Sequence, residues 1–509
     1  MLKRSPAAAG FAMLALLAMA TCTSSAATST NAVLIIDKSF DLTSADPHRD
    51  ASETGALIAK ALYSTLLTFE GGDQSTPVPW VAASYISSED ARTFTFKLRH
   101  DVVFSDRSQL TSADVLFSLA RVVKMKGGPS ALLSGVNASA PDAYTVVLTS
   151  SDPNPGLPSV LTTPELAIVN ATAMNGKTNG FLDGASAGSG PYVLESFSTF
   201  SDIELVANSR YWGPKPFYRK VVVRNMDPRT QLAYIGAGKD EIALDLSPIQ
   251  AATLSSVHIS ARAGPDIVFL FANNNPLVSS VTADKHFQNA VRYAVDYRSI
   301  VGLMGAGAVQ ARGIIPSSRL GAMPAWFAPR QDIQHAKSEL TASGIKDPAV
   351  SLGYAADLTV SGVPISSIAS MVAADLGVVG IKVKLAEGPP AAAMADYASG
   401  SEQMGLWRQP GGVAAFNSYL SFLPGGLIGL RAGWPAGSDP SLESLGIQAS
   451  TTADPGTRAQ LLQQMQGQLN EEGPFFPLLQ PGRVIVATGG GAGLDYNPGW
   501  TLDLATVTG

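Results

Sequence analysis

Five consecutive residues, Gly184 to Gly188 in the stretch "GASAGSGPYVL", spell Gly-x-Ser-x-Gly. In serine hydrolases this pattern places a nucleophilic serine on a sharp turn between a buried strand and a helix. Here the preceding stretch "AMNGKTNGFLDGA" has no run of four apolar residues. Pro191 follows at once, and proline fits poorly in a helix beyond its first turn. The setting favours a glycine-rich loop, and a hydrolase that uses Ser186 is kept as an alternative hypothesis.

Other motifs for catalysis or cofactor binding are missing from the sequence. It contains no His-Glu-x-x-His motif, no cysteine pair and no complete Walker-type phosphate loop. Zinc and nucleotide sites commonly depend on such motifs. Adjacent acids such as Glu471 and Glu472 are typical of a solvated helix face. We therefore expect no catalytic residue, no metal ion and no cofactor.

Length and charge limit the class of protein. A chain of 509 residues has room for about three domains of ~150 residues. Hydrophobic residues make up 46% of the chain, which is enough for a sizeable core. The formal net charge is -6, without the basic stripes that neutralise nucleic-acid phosphates. We expect no nucleic-acid partner.

The first thirty residues read as a secretory signal. A basic start is followed by an apolar stretch from Ala7 to Ala20 and then by small residues. The apolar stretch is shorter than the ~20 residues of a transmembrane helix. The pattern predicts that the mature protein works outside the cytoplasm, in the periplasm or at the outer face of the cell membrane.

Cys22 is the only cysteine, and it directly follows the apolar stretch. This arrangement is similar to a bacterial lipoprotein signal and tether, which implies a lipid on Cys22 that anchors the protein to the membrane. Thr21 departs from the small residue usual before a lipidated cysteine. Ordinary cleavage after Ala26 or Ala27 is the alternative.

Periodic patterns predict an α/β protein. In "RTFTFKLRHDVVFSD", Phe94, Phe96 and Leu98 alternate with polar residues, as in a half-buried strand. Thr111 and Asp114 have the spacing of a capping box at the start of a helix. Further along, "AVSLGYAAD", "VPISSIASMVAADLGVVGI" and "KVKLAE" read as strand, helix and strand. That order is typical of a parallel crossover.

Five segments, taken in order, resemble the dipeptide and oligopeptide type (family 5) of bacterial extracellular solute-binding proteins of ABC transporters. They are "LTSADPH", "TPVPWVAASYISSEDARTFTFKLRHDVVFSDRSQLTSADVLFSLAR", "GSGPYVLESF", "NSRYWGPKPFYRKVVVR" and "HFQNAVRYAVDYRSIVGLMGAG". The resemblance implies a monomer that captures a peptide-like or other small organic solute by lobe closure and delivers it to the transmembrane subunits of a permease. An opine-like compound, a sugar conjugate or a metal chelate is the alternative ligand. A role in sensing is also open.

The resemblance also implies the fold, a two-lobed α/β periplasmic-binding-protein fold of type II with an extra domain. The ligand would lie in the cleft between the lobes. The implied ranges are 1–30 for signal and tether, 31–65, 188–266 and 481–509 for the first lobe, 66–187 for the extra domain, and 267–480 for the second lobe. Gly188 and Gly190 would lie where the chain returns from the extra domain, and we expect them to permit unusual backbone angles there.

The resemblance finally points to residues that contact the ligand. The segment "EQMGLWRQPGGVAAFNSYLSF" corresponds to a ligand loop of the second lobe, where a tryptophan is usual, and Trp407 fits it. In peptide carriers an aspartate follows, but here the next residues are Arg408, Gln409 and Pro410. Because a guanidinium suits a carboxylate or phosphate, Arg408 predicts an anionic or hydroxyl-rich ligand rather than a peptide held by its amino terminus. The other predicted ligand contacts are His48, Asn274, Asn275, Phe416 and Tyr419.

Overall fold

The computed structural model describes residues 33–174, 187–239, 241–412, 416–489 and 491–509. Cys22 and Ser186 lie outside the described residues, as does the side chain of Phe416. None of the helices in these ranges is long and apolar enough to cross a membrane.

The strands, in chain order, are β1 Val33–Lys38, β2 Leu67–Thr68, β3 Val78–Pro79, β4 Ala82–Ser87, β5 Thr93–Leu98, β6 Val136–Asp142, β7 Thr145–Ser150, β8 Tyr192–Phe197, β9 Asp202–Ala207, β10 Lys220–Asn225, β11 Ile242–Ala243, β12 His258–Ala263, β13 Ile267–Ala272, β14 Val309–Gln310, β15 Ala349–Ala355, β16 Thr359–Val360, β17 Val363–Pro364, β18 Lys382–Gly388, β19 Met404–Gln409, β20 Phe475–Gln480 and β21 Gly482–Ala487. The α-helices are α1 Glu53–Leu62, α2 Ser112–Met125, α3 Leu157–Val160, α4 Pro228–Gly236, α5 Pro248–Ala251, α6 Lys285–Ala294, α7 Tyr297–Leu303, α8 Ile333–Ala342, α9 Ile365–Val378, α10 Pro390–Ser399, α11 Leu427–Arg431, α12 Pro440–Thr451 and α13 Pro455–Glu472. Short 3₁₀ helices cover Gly128–Leu133, Pro164–Leu166, Ala325–Phe327 and Phe416–Phe422.

A seven-stranded mixed sheet, in the order β12-β21-β11-β1-β10-β9-β8, forms what we call the first lobe. Its strands come from three separate parts of the chain. The central strand β1 is parallel to both neighbours, and its Leu34 and Ile36 are buried. The C-terminal segment packs on the same core through Leu502, Leu504 and Val507. The polar end of β1, at Asp37 and Lys38, is buried as well.

A four-stranded antiparallel sheet, in the order β4-β5-β7-β6, forms the extra domain with α2. The predicted alternation of β5 is confirmed, because Phe94, Phe96 and Leu98 are all buried. The predicted capping box at α2 is also confirmed. The Asp114 carboxylate accepts a hydrogen bond from the backbone amide of Thr111 at 2.9 Å.

A six-stranded sheet, in the order β14-β20-β13-β19-β15-β18, forms the second lobe. Strands β15 and β18 are parallel and are joined by α9, so the predicted parallel crossover is confirmed. β13 is buried along its whole length between β19 and β20. The apolar run "IVFLFA" suits such a strand because both faces of it are covered.

In the described part of the chain, the backbone passes from one large sheet to the other at two neighbouring places, which we call the crossings. β12 runs into β13 through Gly264, Pro265 and Asp266, and β20 runs into β21 through Pro481. The amide of Gly264 donates to the carbonyl of Pro481 at 2.8 Å. The strands of each sheet fall within the ranges expected from the sequence, and the domain boundaries themselves stay a prediction.

The glycines at the return to the first lobe act through close packing. Neither Gly188 nor Gly190 has a positive φ, so the expectation of unusual backbone angles is wrong. A Cβ on Gly188 would overlap the carbonyl oxygen of Leu62, and one on Gly190 would lie 2.5 Å from that of Ala61. The returning chain lies directly against the last turn of α1, where only hydrogen fits.

Candidate ligand-binding cleft

A cavity of about 370 Å³ lies between the lobes, beside the two crossings. Its volume falls within the range of small-molecule pockets, about 300–1,000 Å³. The first lobe, the extra domain, a crossing and the second lobe all contribute walls. The principal lining residues are Ser52, Glu53, Ala56, Pro129, Leu132, Glu165, Asp266, Gly411, Gly412, Arg483, Tyr496 and Trp500.

A second cavity of about 380 Å³ adjoins the first. The two share Glu53, Asp266, Arg483 and Tyr496 in their walls. The second extends towards Arg408. We refer to these two adjoining cavities together as the cleft.

Charged side chains connect the lobes across this cleft. Arg408 of β19 lies 3.4 Å from Asp266, measured between Nη1 and Oδ2. Arg483 at the start of β21 lies 4.0 Å from the same carboxylate oxygen and 3.4 Å from Glu53. The other oxygen of Asp266 accepts a hydrogen bond from the amide of Gly411 at 2.9 Å. Asp266 therefore contacts groups of both lobes from its position in the crossing.

The row of charges continues into the first lobe. Lys38 is buried at the end of β1, with its Nζ 2.7 Å from Asp245 and 3.6 Å from Glu53. Burial disfavours the charged ammonium, but these two carboxylates outweigh it and hold the pKa of Lys38 above its ordinary value. Glu53 thus lies between two cations.

The structure does not bring Trp407 to the cleft. Its ring is 4% exposed, stacks on Tyr397 with centroids 4.4 Å apart, and lines neither of the two cavities. Its Nε1 donates to Oε2 of Glu402 at 2.8 Å. Burial raises the pKa of Glu402 to about 7, and the hydrogen bond from the indole opposes that shift. Trp407 therefore supplies a hydrogen-bond donor to the buried carboxyl group of Glu402 in the second-lobe core.

Arg408 does reach the cleft, because successive side chains of a strand point to opposite faces. It lines the second cavity, where its guanidinium is already paired with Asp266. Tyr419 instead lies in the second-lobe core, where burial raises its pKa and neighbouring Arg319 opposes the shift. Of these two predicted contacts, only Arg408 faces the cleft.

Asn274 and Asn275 lie at the far end of β13 from Asp266. Eight residues of mostly extended chain separate Asp266 from Asn274, which corresponds to roughly 25 Å. The amide oxygen of Asn274 accepts from Gln288 at 3.2 Å, and that of Asn275 accepts from the amide of Leu277 at 3.0 Å. These asparagines shape the turn after the strand and are not brought together with Arg408.

His48 is buried between the first lobe and the extra domain, and its ring is 1% exposed. Its Nε2 lies 2.8 Å from the carbonyl oxygen of Ala167, and its Nδ1 lies 2.7 Å from Nη1 of Arg121. Arg121 also donates to Oδ1 of Asp46 at 2.8 Å. Burial lowers the pKa of His48 to about 4, so the ring is neutral, donating at Nε2 and accepting at Nδ1. His48 connects two domains and lines neither cavity.

Sequence reasoning missed four cleft residues, namely Glu53, Glu165, Asp266 and Arg483. Asp266 directly precedes the buried apolar strand β13 and Arg483 lies at the start of β21, and a charge at each of these places was the available signal. Glu165 gave none, because it lies in a short segment between turns. Within the described ranges, no group of three or more His, Cys, Asp or Glu side chains is placed to hold a metal ion.

Two lobes joined by paired crossings, with a cleft between them, define the class of two-lobed periplasmic binding proteins. Residues 76–426 match the family model described as "Bacterial extracellular solute-binding proteins, family 5 Middle". The match covers more than half of the chain. The chain belongs to this family.

Known relatives agree with this assignment. The chain is 26% identical over 302 residues to a probable D,D-dipeptide-binding periplasmic protein of Escherichia coli (strain K12), covering 57% of this chain and 58% of the relative. It is 28% identical over 305 residues to a glutathione-binding protein of Escherichia coli O1:K1, covering 56% of each. The match thus spans just over half the length of these relatives.

Solved structures extend the comparison to nearly the whole chain. The structure of HbpA2 from Haemophilus parasuis superposes with a TM-score of 0.82 and 20% identity, covering 94% of this chain and 99% of that one. At this identity the likeness shows the fold. It supports the α/β periplasmic-binding-protein architecture expected from the sequence.

Proposed function

We propose that this protein is the extracytoplasmic substrate-binding component of an ABC importer. It captures a small organic solute in the cleft and delivers it to a membrane permease. The observation that carries the proposal is the cavity of about 370 Å³ walled by both lobes and the extra domain beside two crossings. Rotation about such crossings is a common way for two domains to close on a ligand.

A peptide-like solute is the favoured ligand. Two relatives are described as binding D,D-dipeptides and glutathione, and both compounds are small peptides. The cavity offers polar and apolar walls for a compound of that size. An opine-like compound, a sugar conjugate or a metal chelate is the alternative.

Thermal-shift screening tests the proposal. A ligand that binds only the folded protein raises the melting temperature in a concentration-dependent manner. We expect stabilisation by at least one small solute, without turnover, from the protein purified as a monomer. Mass spectrometry of material released by denaturation would identify a copurified ligand. A panel of peptides, opines, sugars and chelates that leaves the melting temperature unchanged would contradict the proposal.

The protein is proposed to have no enzymatic activity. Ser186 lies outside the described residues, and the sequence around it does not have the strand–turn–helix order of a hydrolase. We expect no esterase or peptidase activity, and Ser186→Ala should leave ligand binding unchanged. Hydrolysis that disappears in this variant would restore the hydrolase hypothesis.

We also propose that a lipid on Cys22 anchors the protein outside the cytoplasm. Mass spectrometry of the mature N-terminus distinguishes this from cleavage after Ala26 or Ala27. A lipid-modified cysteine at the first position, lost in Cys22→Ser, is the expected result. An unmodified N-terminus beyond Cys22 would contradict it.

A further inference from the structure

The charges around the first cavity are unequal. Three carboxylates line it, those of Glu53, Glu165 and Asp266, against the one guanidinium of Arg483. Arg483 lies between Glu53 and Asp266 and contacts both. Two of the three acids therefore have a cation in contact.

Glu165 differs from the other two acids. None of the described residues places a Lys, Arg or His nitrogen within ion-pair distance of its carboxylate, and its Oε2 atom is buried without a hydrogen-bond partner. Burial raises the pKa of Glu165 to about 7; a hydrogen bond from its own backbone amide opposes this shift, and the negative charge of Asp50 adds to it. The side chain is half-buried, and its Oε2 atom is shielded from solvent without a hydrogen-bond partner, which costs stability.

The surroundings of Glu165 would strengthen an ion pair with a ligand. It lies on the 3₁₀ helix Pro164–Leu166 at the wall of the cavity. Pro129, Leu132 and Ala56 supply apolar surface to the same cavity. Because apolar walls lower the local dielectric constant, a cation held there interacts with the carboxylate more strongly than in water.

We propose that Glu165 binds a cationic group of the ligand, an ammonium or a guanidinium, at the extra-domain side of the cleft. The proposal rests on the proposed function and specifies its ligand class. The ligand supplies the cation that none of the described residues places beside this carboxylate, and lobe closure excludes water from the pair. The sequence predicted an anionic or hydroxyl-rich ligand because of Arg408. The guanidinium of Arg408 is instead paired with Asp266 inside the protein.

Matched pairs of compounds test this assignment. A thermal-shift panel would contain D-alanyl-D-alanine and glutathione, each beside its N-acetylated form, and lysine beside its Nα,Nε-diacetylated form, so that acetylation removes every cation of each pair, together with sugars and dicarboxylates. Compounds that stabilise the protein would then be titrated by calorimetry into the wild type and into Glu165→Gln, Glu165→Asp and Glu89→Gln. Glu89 is exposed in the same domain and lines neither cavity, so it is the matched control.

We expect the free cationic compound to bind the wild type at least about tenfold more tightly than its acetylated partner. Glu165→Gln should abolish this preference without weakening the binding of the acetylated form. Glu165→Asp should keep part of the preference, and Glu89→Gln all of it.

Unchanged preference in Glu165→Gln would overturn the assignment. Stabilisation by anionic or neutral compounds alone would also overturn the assignment of Glu165, but it would leave the proposed function intact. If no compound of this panel stabilises the wild type, this inference fails; the proposed function fails only if the opines and chelates of the wider panel also leave the melting temperature unchanged.

Discussion

The guanidinium of Arg408 lies 3.4 Å from the carboxylate of Asp266, across the junction between β19 and the crossing that precedes β13. The arginine expected to meet the ligand is thus paired inside the protein. The pair joins the second lobe to a crossing.

Arg408→Ala should affect stability more than ligand affinity. The Arg408 side chain is 35% exposed, and partly exposed ion pairs contribute about 0.2–1 kcal/mol, less at high salt. We expect the free energy of unfolding to fall by up to about 1 kcal/mol at low salt, with less than a threefold change in Kd. Urea denaturation at two salt concentrations and calorimetry measure both. Arg210→Ala, at an exposed position, is the control. A tenfold loss of affinity in Arg408→Ala at unchanged stability would show instead that Arg408 contacts the ligand.

Trp407→Phe should lower stability and leave binding intact. The substitution removes the hydrogen bond from the indole to Glu402 and leaves a buried carboxyl oxygen without that donor. The expected loss is about 1–3 kcal/mol in the free energy of unfolding. Denaturant unfolding and ligand titration measure the two effects separately. Trp326→Phe is the control, because Trp326 is 74% exposed, and it should change neither stability nor ligand binding. Weaker ligand binding by Trp407→Phe at unchanged stability would indicate that Trp407 contacts the ligand.

Gly188→Ala should destabilise the protein because the new methyl group would meet the Leu62 carbonyl. Overpacking of this kind typically costs about 1–3 kcal/mol. Gly377→Ala is the matched control, since Gly377 is exposed in α9 with open space around it. Alanine there should gain about 0.5–1 kcal/mol from its higher helix propensity. Equal stability of the two variants would contradict the packing argument.

The contribution of His48 to stability should fall as the pH drops from about 6.5 to about 4. His48 has a folded-state pKa of about 4, below its ordinary value of 6.5, so the folded state resists protonation. Its contribution is therefore fully present above pH 6.5 and is lost as the pH falls towards 4. The shift corresponds to roughly 3 kcal/mol.

Comparing the pH dependence of unfolding in the wild type and in His48→Gln isolates this effect. The variant should lose part of the slope between pH 4 and 6.5, whatever its absolute stability. An identical slope in both proteins would show that His48 titrates normally in the folded state.

Local patterns determined much of the fold. The alternation in β5, the Thr111–Asp114 capping box and the crossover through α9 all follow from residues close in sequence. Such features depend on side-chain periodicity and on hydrogen bonds within a few residues, which the sequence displays directly. The ordered segments identified the family for the same reason, because each is a short contiguous pattern.

The cleft depended on tertiary structure. Trp407 and Arg408 are neighbours in sequence, yet strand alternation sends one into the core and the other to the cleft. Asp266 and Asn274 lie beyond opposite ends of β13. Only the position of β13 relative to the first lobe decides which of these two ends faces the cleft. The Oε2 atom of Glu165 is buried without a hydrogen-bond partner, and nothing in the sequence around it indicates this. Pairings between distant segments fix these outcomes, and no local pattern in the chain encodes which distant surface a side chain will face.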